Sequence, residues 1–110
     1  MLQTLYCGDC PVSDLRPLSA CTMLQTLNCL DTEVSDLGPL SACTMLQNLN
    51  CICTGVSDLR PLSACTMLQT LDCRYTKASE SLPQQAQGLQ AACPNLRING
   101  AAIADHGHAA

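Results

Sequence analysis

Tryptophan and phenylalanine are absent from this chain, and two tyrosines, Tyr6 and Tyr75, are its whole aromatic complement. The core therefore has to be built from Leu, Val, Ile, Ala, Met and Cys, small side chains that suit thin layers better than a globule. The 110 residues fit one small domain, able to bury roughly 60 to 70% of its unfolded surface. Basic residues are scarce too: five against nine acids, for a formal charge of −4. A nucleic-acid binder needs a basic stripe to displace counterions from phosphates, so that class is excluded. No apolar run reaches the ~18 residues that cross a bilayer, and the N-terminus lacks the basic-then-hydrophobic pattern of a secretory signal. Neither a membrane span nor a signal segment is expected.

What the chain has in quantity is cysteine and repetition. The string VSDLRPLSACTMLQTL starts at Val12, again with two changes at Val34, and again unchanged at Val56. Leu2, Leu24, Leu46 and Leu68 each open the phrase LQ(T/N)L. Counting these leucines as position 1 gives units 2–23, 24–45 and 46–67, identical at 15 of 22 positions, and a divergent, cap-like unit 68–99. Residues 100–110 are expected to be a flexible tail. Within LQTLNC the apolar Leu27 and Cys29 alternate with polar Thr26 and Asn28, the period of a half-buried strand. The segment SDLxPL places Asp14, Asp36 or Asp58 shortly before a Pro, a helix-start signal. So few residues remain before the next strand that a short 3-10 turn is expected rather than a full helix. Each unit then has a strand on one side, a tight turn on the other and one apolar layer between, and it is stable only when stacked on its neighbours.

The spaced residues Leu24, Leu27, Cys29, Thr32, Val34, Leu37, Leu40 and Cys43, recurring through the units, resemble the leucine-rich repeat. The segment S-D-L-x-P-L-S-x-C-T-x-L is similar to the 22-residue, internalin-like subclass, with Cys where that class often has Leu and Thr or Cys where it usually has an Asn ladder. The resemblance implies an α/β solenoid of about five parallel strands, 3-10 turns opposite them, a concave strand face and a protein-binding role.

Ten cysteines in a short chain suggest a disulfide scaffold, but their positions argue otherwise. Cys7, Cys29, Cys51 and Cys73 share position 6, and Cys21, Cys43 and Cys65 share position 20. In-register stacking sets their Cβ atoms near ~4.8 Å apart with parallel directions, beyond the ~3.5 to 4.5 Å of a disulfide. They read as small buried hydrophobes, and a reducing, cytoplasmic compartment follows from that reading. Cys10 completes a CxxC string, Cys7-Gly8-Asp9-Cys10, that also suits a redox or zinc pair; its position 9 is expected to point inward. Cys53, expected outward, is the candidate reactive thiol. His106 and His108 are assigned to the tail. A metal or redox protein using Cys7, Cys10, Cys53, His106 and His108 is the rival reading, but no cofactor or metal is expected. No catalytic elbow or comparable motif supports an enzyme.

The first three units differ only at positions 3, 5, 7, 8, 9, 10 and 15. Six of those seven lie in or just after the expected strand. Positions 3, 5, 7 and 8 are expected to form one outward face, and Thr4, Tyr6, Asp9, Asn28, Leu30, Asp31, Asn50, Ile52, Cys53, Asp72, Arg74 and Tyr75 are its candidate partner-binding residues. Leu30 and Ile52 beside Arg74 and Tyr75 have the composition of an interface hot spot. Drift at exposed positions after recent duplication is the plainer explanation of the same pattern. Against it, Gln3, Gln25, Gln47 and Gln69 never vary although they lie near that face; a side-chain amide ladder is expected of them. Four or five strands make a face about 20 to 24 Å long, on the order of half a standard ~800 Å² footprint.

In the fourth unit Ala78 replaces Val and SESLPQQ replaces SDLxPLS. Gln84 to Cys93 reads as a helix with Ala86, Leu89 and Cys93 on one face, stopped by Pro94, and Leu96 and Ile98 supply a last strand. At the other end Met1 is only the repeat's own Met, so Leu2, Leu5, Cys7, Val12 and Leu15 are expected to face water there. That leaves three expectations for this end: a fragment of a longer array, a shortened product, or self-association through an uncapped first unit.

Overall fold

The computed structural model describes residues 3–99 and 101–102. Each unit contributes one three-residue strand: β1 Thr4–Tyr6, β2 Thr26–Asn28, β3 Asn48–Asn50 and β4 Thr70–Asp72. They pair in parallel with equivalent residues opposite one another, as Leu5 with Leu27, Leu27 with Leu49 and Leu49 with Leu71. β5, Arg97–Ile98, extends the parallel sheet beside β4, and β6, Ala101–Ala102, closes it antiparallel to β5. The sheet thus continues into the segment expected to be a tail. His106 and His108, like Leu2, lie outside the described residues.

Opposite the strands run 3-10 turns at Arg16–Ala20, Gly38–Ala42, Arg60–Ala64 and Lys77–Ser81. The first three begin with a Pro in the first turn, whose fixed φ and missing N–H suit that place. Asp14, Asp36 and Asp58 accept the main-chain N–H of Arg16, Gly38 and Arg60 at 2.9, 2.7 and 2.9 Å, which is how the aspartate starts the turn. The helix α1 spans Leu82–Ala92, opening two residues earlier than the apolar pattern indicates because the preceding 3-10 turn runs straight into it.

One layer of side chains fills the interior. In the second unit Leu24, Leu27, Cys29, Val34, Leu37, Leu40 and Cys43 are fully buried, and the third repeats the set. Each buried Leu is worth about 1.5–3 kcal/mol relative to exposure, so neighbouring units are the main source of stability. Among the described residues the first unit has a neighbour on one side only, and Leu5, Cys7, Val12 and Cys21 are half-buried there. Leu15, expected to face water, is buried, because the 3-10 turns of the first two units pack closely.

Among the described residues every buried side-chain nitrogen or oxygen has a hydrogen-bond partner. Thr32, Thr54 and Thr76, at position 9, donate their hydroxyls to the carbonyls of Cys29, Cys51 and Cys73 at 2.7, 2.8 and 2.6 Å. The thiols of Cys43 and Cys65 donate to the carbonyls of Leu18 and Leu40 one unit back, at 3.4 and 3.3 Å. These position-20 cysteines are therefore donors between units as well as packing residues. The invariant glutamines form their ladder with the main chain: Gln25 N–H to the Gln3 carbonyl, Gln47 to Gln25 and Gln69 to Gln47, each at 2.7 Å. No side-chain amide ladder joins them among the described residues.

At the far end two side chains of the cap-like unit make contacts that lie outside the repeat pattern. The Gln85 amide accepts the Leu59 N–H at 2.6 Å and donates to the Ser57 carbonyl at 2.9 Å. The Cys73 N–H, whose equivalents donate to main-chain carbonyls, donates instead to Asn99 Oδ1 at 2.9 Å.

Candidate functional site: the concave strand face

The strands place positions 3 and 5 side by side on the concave face. Here lies a shallow trough of ≈ 310 Å³ lined by Tyr6, Thr26, Asn28, Asn48, Asn50, Thr70, Asp72 and Arg97, over the strand main chain at Leu27, Leu49 and Leu71, whose side chains are buried beneath it. Position 3 forms its own ladder: Asn48 Nδ2 donates to Thr26 Oγ1 at 3.4 Å, and Thr70 Oγ1 donates to Asn48 Oδ1 at 2.6 Å. Tyr6, 70% exposed, and Arg97 mark the trough as more than a row of small polar groups.

Of the residues expected to bind a partner, Tyr6, Asn28, Asn50 and Asp72 line this trough, and Thr4 starts β1 as an exposed residue. Positions 7 and 8 lie elsewhere. They are not strand residues but the centre of a turn that leaves the strand, and Asp9, Asp31, Cys53 and Tyr75 all adopt left-handed φ values of 63, 54, 56 and 61°. Asn28, Asn50 and Asp72 hold that turn by accepting the N–H of Leu30, Ile52 and Arg74 at 3.2, 3.1 and 3.4 Å, the geometry of an Asx turn.

The consequence for the expected hot spot is specific. Leu30 and Ile52 are half-buried at the rim rather than exposed on the sheet. Leu30 leans over the first unit, so that a Cβ on Gly8 would meet its Cγ at 3.2 Å. Arg74 and Tyr75 are exposed, Tyr75 by 79%, but Arg74 is engaged with Asp72 at 2.7 Å. Its hydrogen bonds hold the Asp72 carboxyl below the usual carboxylate range. Asp31 and Cys53 are exposed on the same rim. Thr26, Asn48 and Thr70, position-3 residues expected on the outward face, line the trough as well; sequence reasoning missed Arg97, which sits opposite Thr70 in the sheet.

The cysteines divide as follows. All ten are free thiols. Burial pushes Cys29 and Cys65 up to about 12 and Cys73 up to about 11, with neighbouring thiols or Asp72 adding to the effect, and Cys51 is raised as well. These are inert packing groups at neutral pH. Cys53 is exposed, as expected. Cys10 is exposed where an inward side chain was expected; its equivalents Thr32 and Thr54 have a unit on either side, and Thr76 is buried too. Among the described residues no three His, Cys, Asp or Glu side chains form a cluster able to hold a metal ion, and no helix is long and apolar enough to cross a membrane.

Parallel strands stacked one per unit, with 3-10 turns on the opposite side and a helix at the end, define a leucine-rich-repeat solenoid. The chain is similar to an internalin from Listeria monocytogenes, at 25% identity and a TM-score of 0.72 over 88% of this chain and 27% of that one. It is also similar to an internalin C2 of that organism, at 28% identity and a TM-score of 0.69 over 87% of this chain and 40% of that one. A leucine-rich-repeat protein of Leptospira interrogans has the same fold, with a TM-score of 0.73 and 16% identity over 88% of this chain and 25% of that one. This chain thus spans between a quarter and two-fifths of the solved structures it resembles. No protein-family profile and no curated protein sequence matches it.

Proposed function

We propose that this leucine-rich-repeat chain is a non-enzymatic module that binds a protein partner through its concave trough, with Tyr6 and Arg97 at its ends and Tyr75 on its rim as the anchoring side chains. The fold is in general that of a protein-interaction module, and the observation that carries the reading to this face is the distribution of variation. Scaffold positions are copied unchanged from unit to unit, while positions 3, 5, 7 and 8 change together, and those positions form the trough and its rim. Exposed Tyr and Arg are the residue types that supply most interface energy. The trough is lined by hydroxyl, amide and carboxylate groups with an aromatic ring and a guanidinium at its ends, which suits a partner offering hydrogen-bonding groups.

Photo-crosslinking from single sites tests the face directly. A photoreactive residue at Thr70, in the trough, gives adducts with the partner, whereas one at Ser41, on the opposite turn, gives none. Tyr6→Ala combined with Arg97→Ala reduces the Thr70 adduct at least tenfold while the circular dichroism spectrum is unchanged. Equal adducts from Thr70 and Ser41, or full adduct yield in the double variant, contradict the assignment.

A further inference from the structure

The first unit carries a feature that the binding face does not use: a thiol at both position 6 and position 9. We propose that Cys7 and Cys10 form a reversible dithiol–disulfide site, oxidised by low-molecular-weight disulfides of the glutathione class. Gly8 and Asp9 are the centre of a turn between them, with Asp9 at φ 63°. The outer residues of such a turn lie within about 7 Å, Cα to Cα, the range in which roughly 4.4–6.8 Å is required of a disulfide.

The other units show where the two side chains go. At the same turn the position-9 hydroxyls of Thr32, Thr54 and Thr76 fold back to the position-6 residue, reaching its carbonyl at 2.6 to 2.8 Å. Only in the first unit does a sulfur replace that hydroxyl, and only there is the site open: Cys10 is exposed and Cys7 half-buried. The pair is distinct from the position-6 column, whose thiols are a strand spacing apart, ~4.8 Å with parallel Cβ directions.

The Cys10 thiolate attacks one sulfur of the small disulfide, forming a mixed disulfide and expelling one thiolate. The Cys7 thiolate then attacks the Cys10 sulfur, forming the Cys7–Cys10 bond and expelling the second. Two protein thiol protons are lost, two electrons pass to the small disulfide, and two small thiols are produced. Burial and the neighbouring Cys10 raise the Cys7 pKa and so lower its thiolate fraction, while Cys10 is the exposed sulfur; Cys10 therefore makes the first attack.

The experiment uses the full chain carrying Cys53→Asn, which removes the other fully exposed thiol, equilibrated with mixtures of reduced and oxidised glutathione, acid-quenched, alkylated and mapped by mass spectrometry. The expected product is a monomer whose peptide containing Cys7 and Cys10 is lighter by two hydrogens and unalkylated, reversed by excess reduced glutathione. Cys10→Thr in the same background, which restores the residue of the other units and retains the circular dichroism spectrum, does not form it. Finding Cys7 and Cys10 only as separate glutathione adducts, or finding the light species undiminished in Cys10→Thr, overturns the proposal.

Discussion

At the scale of single residues, position 8 shows a conflict between local preference and sequence. A left-handed backbone costs an ordinary L-residue roughly 1–2 kcal/mol, and Asp or Asn bear it best. Asp9 and Asp31 obey that preference, while Cys53 and Tyr75 occupy the same conformation at φ 56 and 61°. Cys53→Asn is expected to stabilise the chain by about 1 kcal/mol, read as a higher urea midpoint; an unchanged or lower midpoint contradicts the left-handed assignment. The same two residues hide the end of the strand. Strict alternation extends the outward face from position 5 to position 7, and only the turn chemistry of Asn28, Asn50 and Asp72, each two residues before the N–H it accepts, marks the end. That signal was present in the sequence but was masked by a hydrophobic residue at 30 and 52 and by Cys and Tyr where Asp or Asn belongs.

At the scale of elements, the regular units were legible because each position has one physical task repeated at a fixed spacing. The Leu and Cys columns, the Asp-Pro turn start and the short 3-10 geometry all follow from that spacing. The cap was legible only as an amphipathic helix. Its two side-chain contacts, from Gln85 and Asn99, fall outside the 22-residue rhythm, and the same break in rhythm hid Arg97. Gln85→Leu removes the groups that pair with the Leu59 N–H and the Ser57 carbonyl. Leaving these unpaired costs on the order of 1–3 kcal/mol, and the Leu59 amide is expected to lose hydrogen-exchange protection while the Leu40 amide, bonded to the Leu37 carbonyl, keeps its own. Unchanged protection at Leu59 contradicts the capping role.

At the scale of the whole molecule, the chain is a one-dimensional stack whose interior is lined with protonated thiols. Folding holds these thiols neutral while the unfolded chain releases their protons near the ordinary value of 9.0. The folded pKa values lie above the unfolded ones, so the stabilisation is fully present below pH 9. It is lost as pH rises through 9 toward the folded values of about 11 and about 12. Each such thiol steepens the alkaline fall in stability by up to about 1.4 kcal/mol per pH unit. Cys65→Ala is expected to lower the urea midpoint at pH 7 yet give a shallower decline between pH 9 and 11 than the parent chain; parallel declines contradict the buried-thiol interior. The most direct test of the stack is a thiol footprint of the native chain: brief alkylation in reducing buffer, followed by mass mapping of all ten sites. Cys10 and Cys53 are expected to react first and Cys7 and Cys21 more slowly, with Cys29, Cys43, Cys51, Cys65, Cys73 and Cys93 protected until denaturant is added. Labelling of Cys29 or Cys51 as fast as Cys53 would contradict the register on which the fold and the concave face both depend.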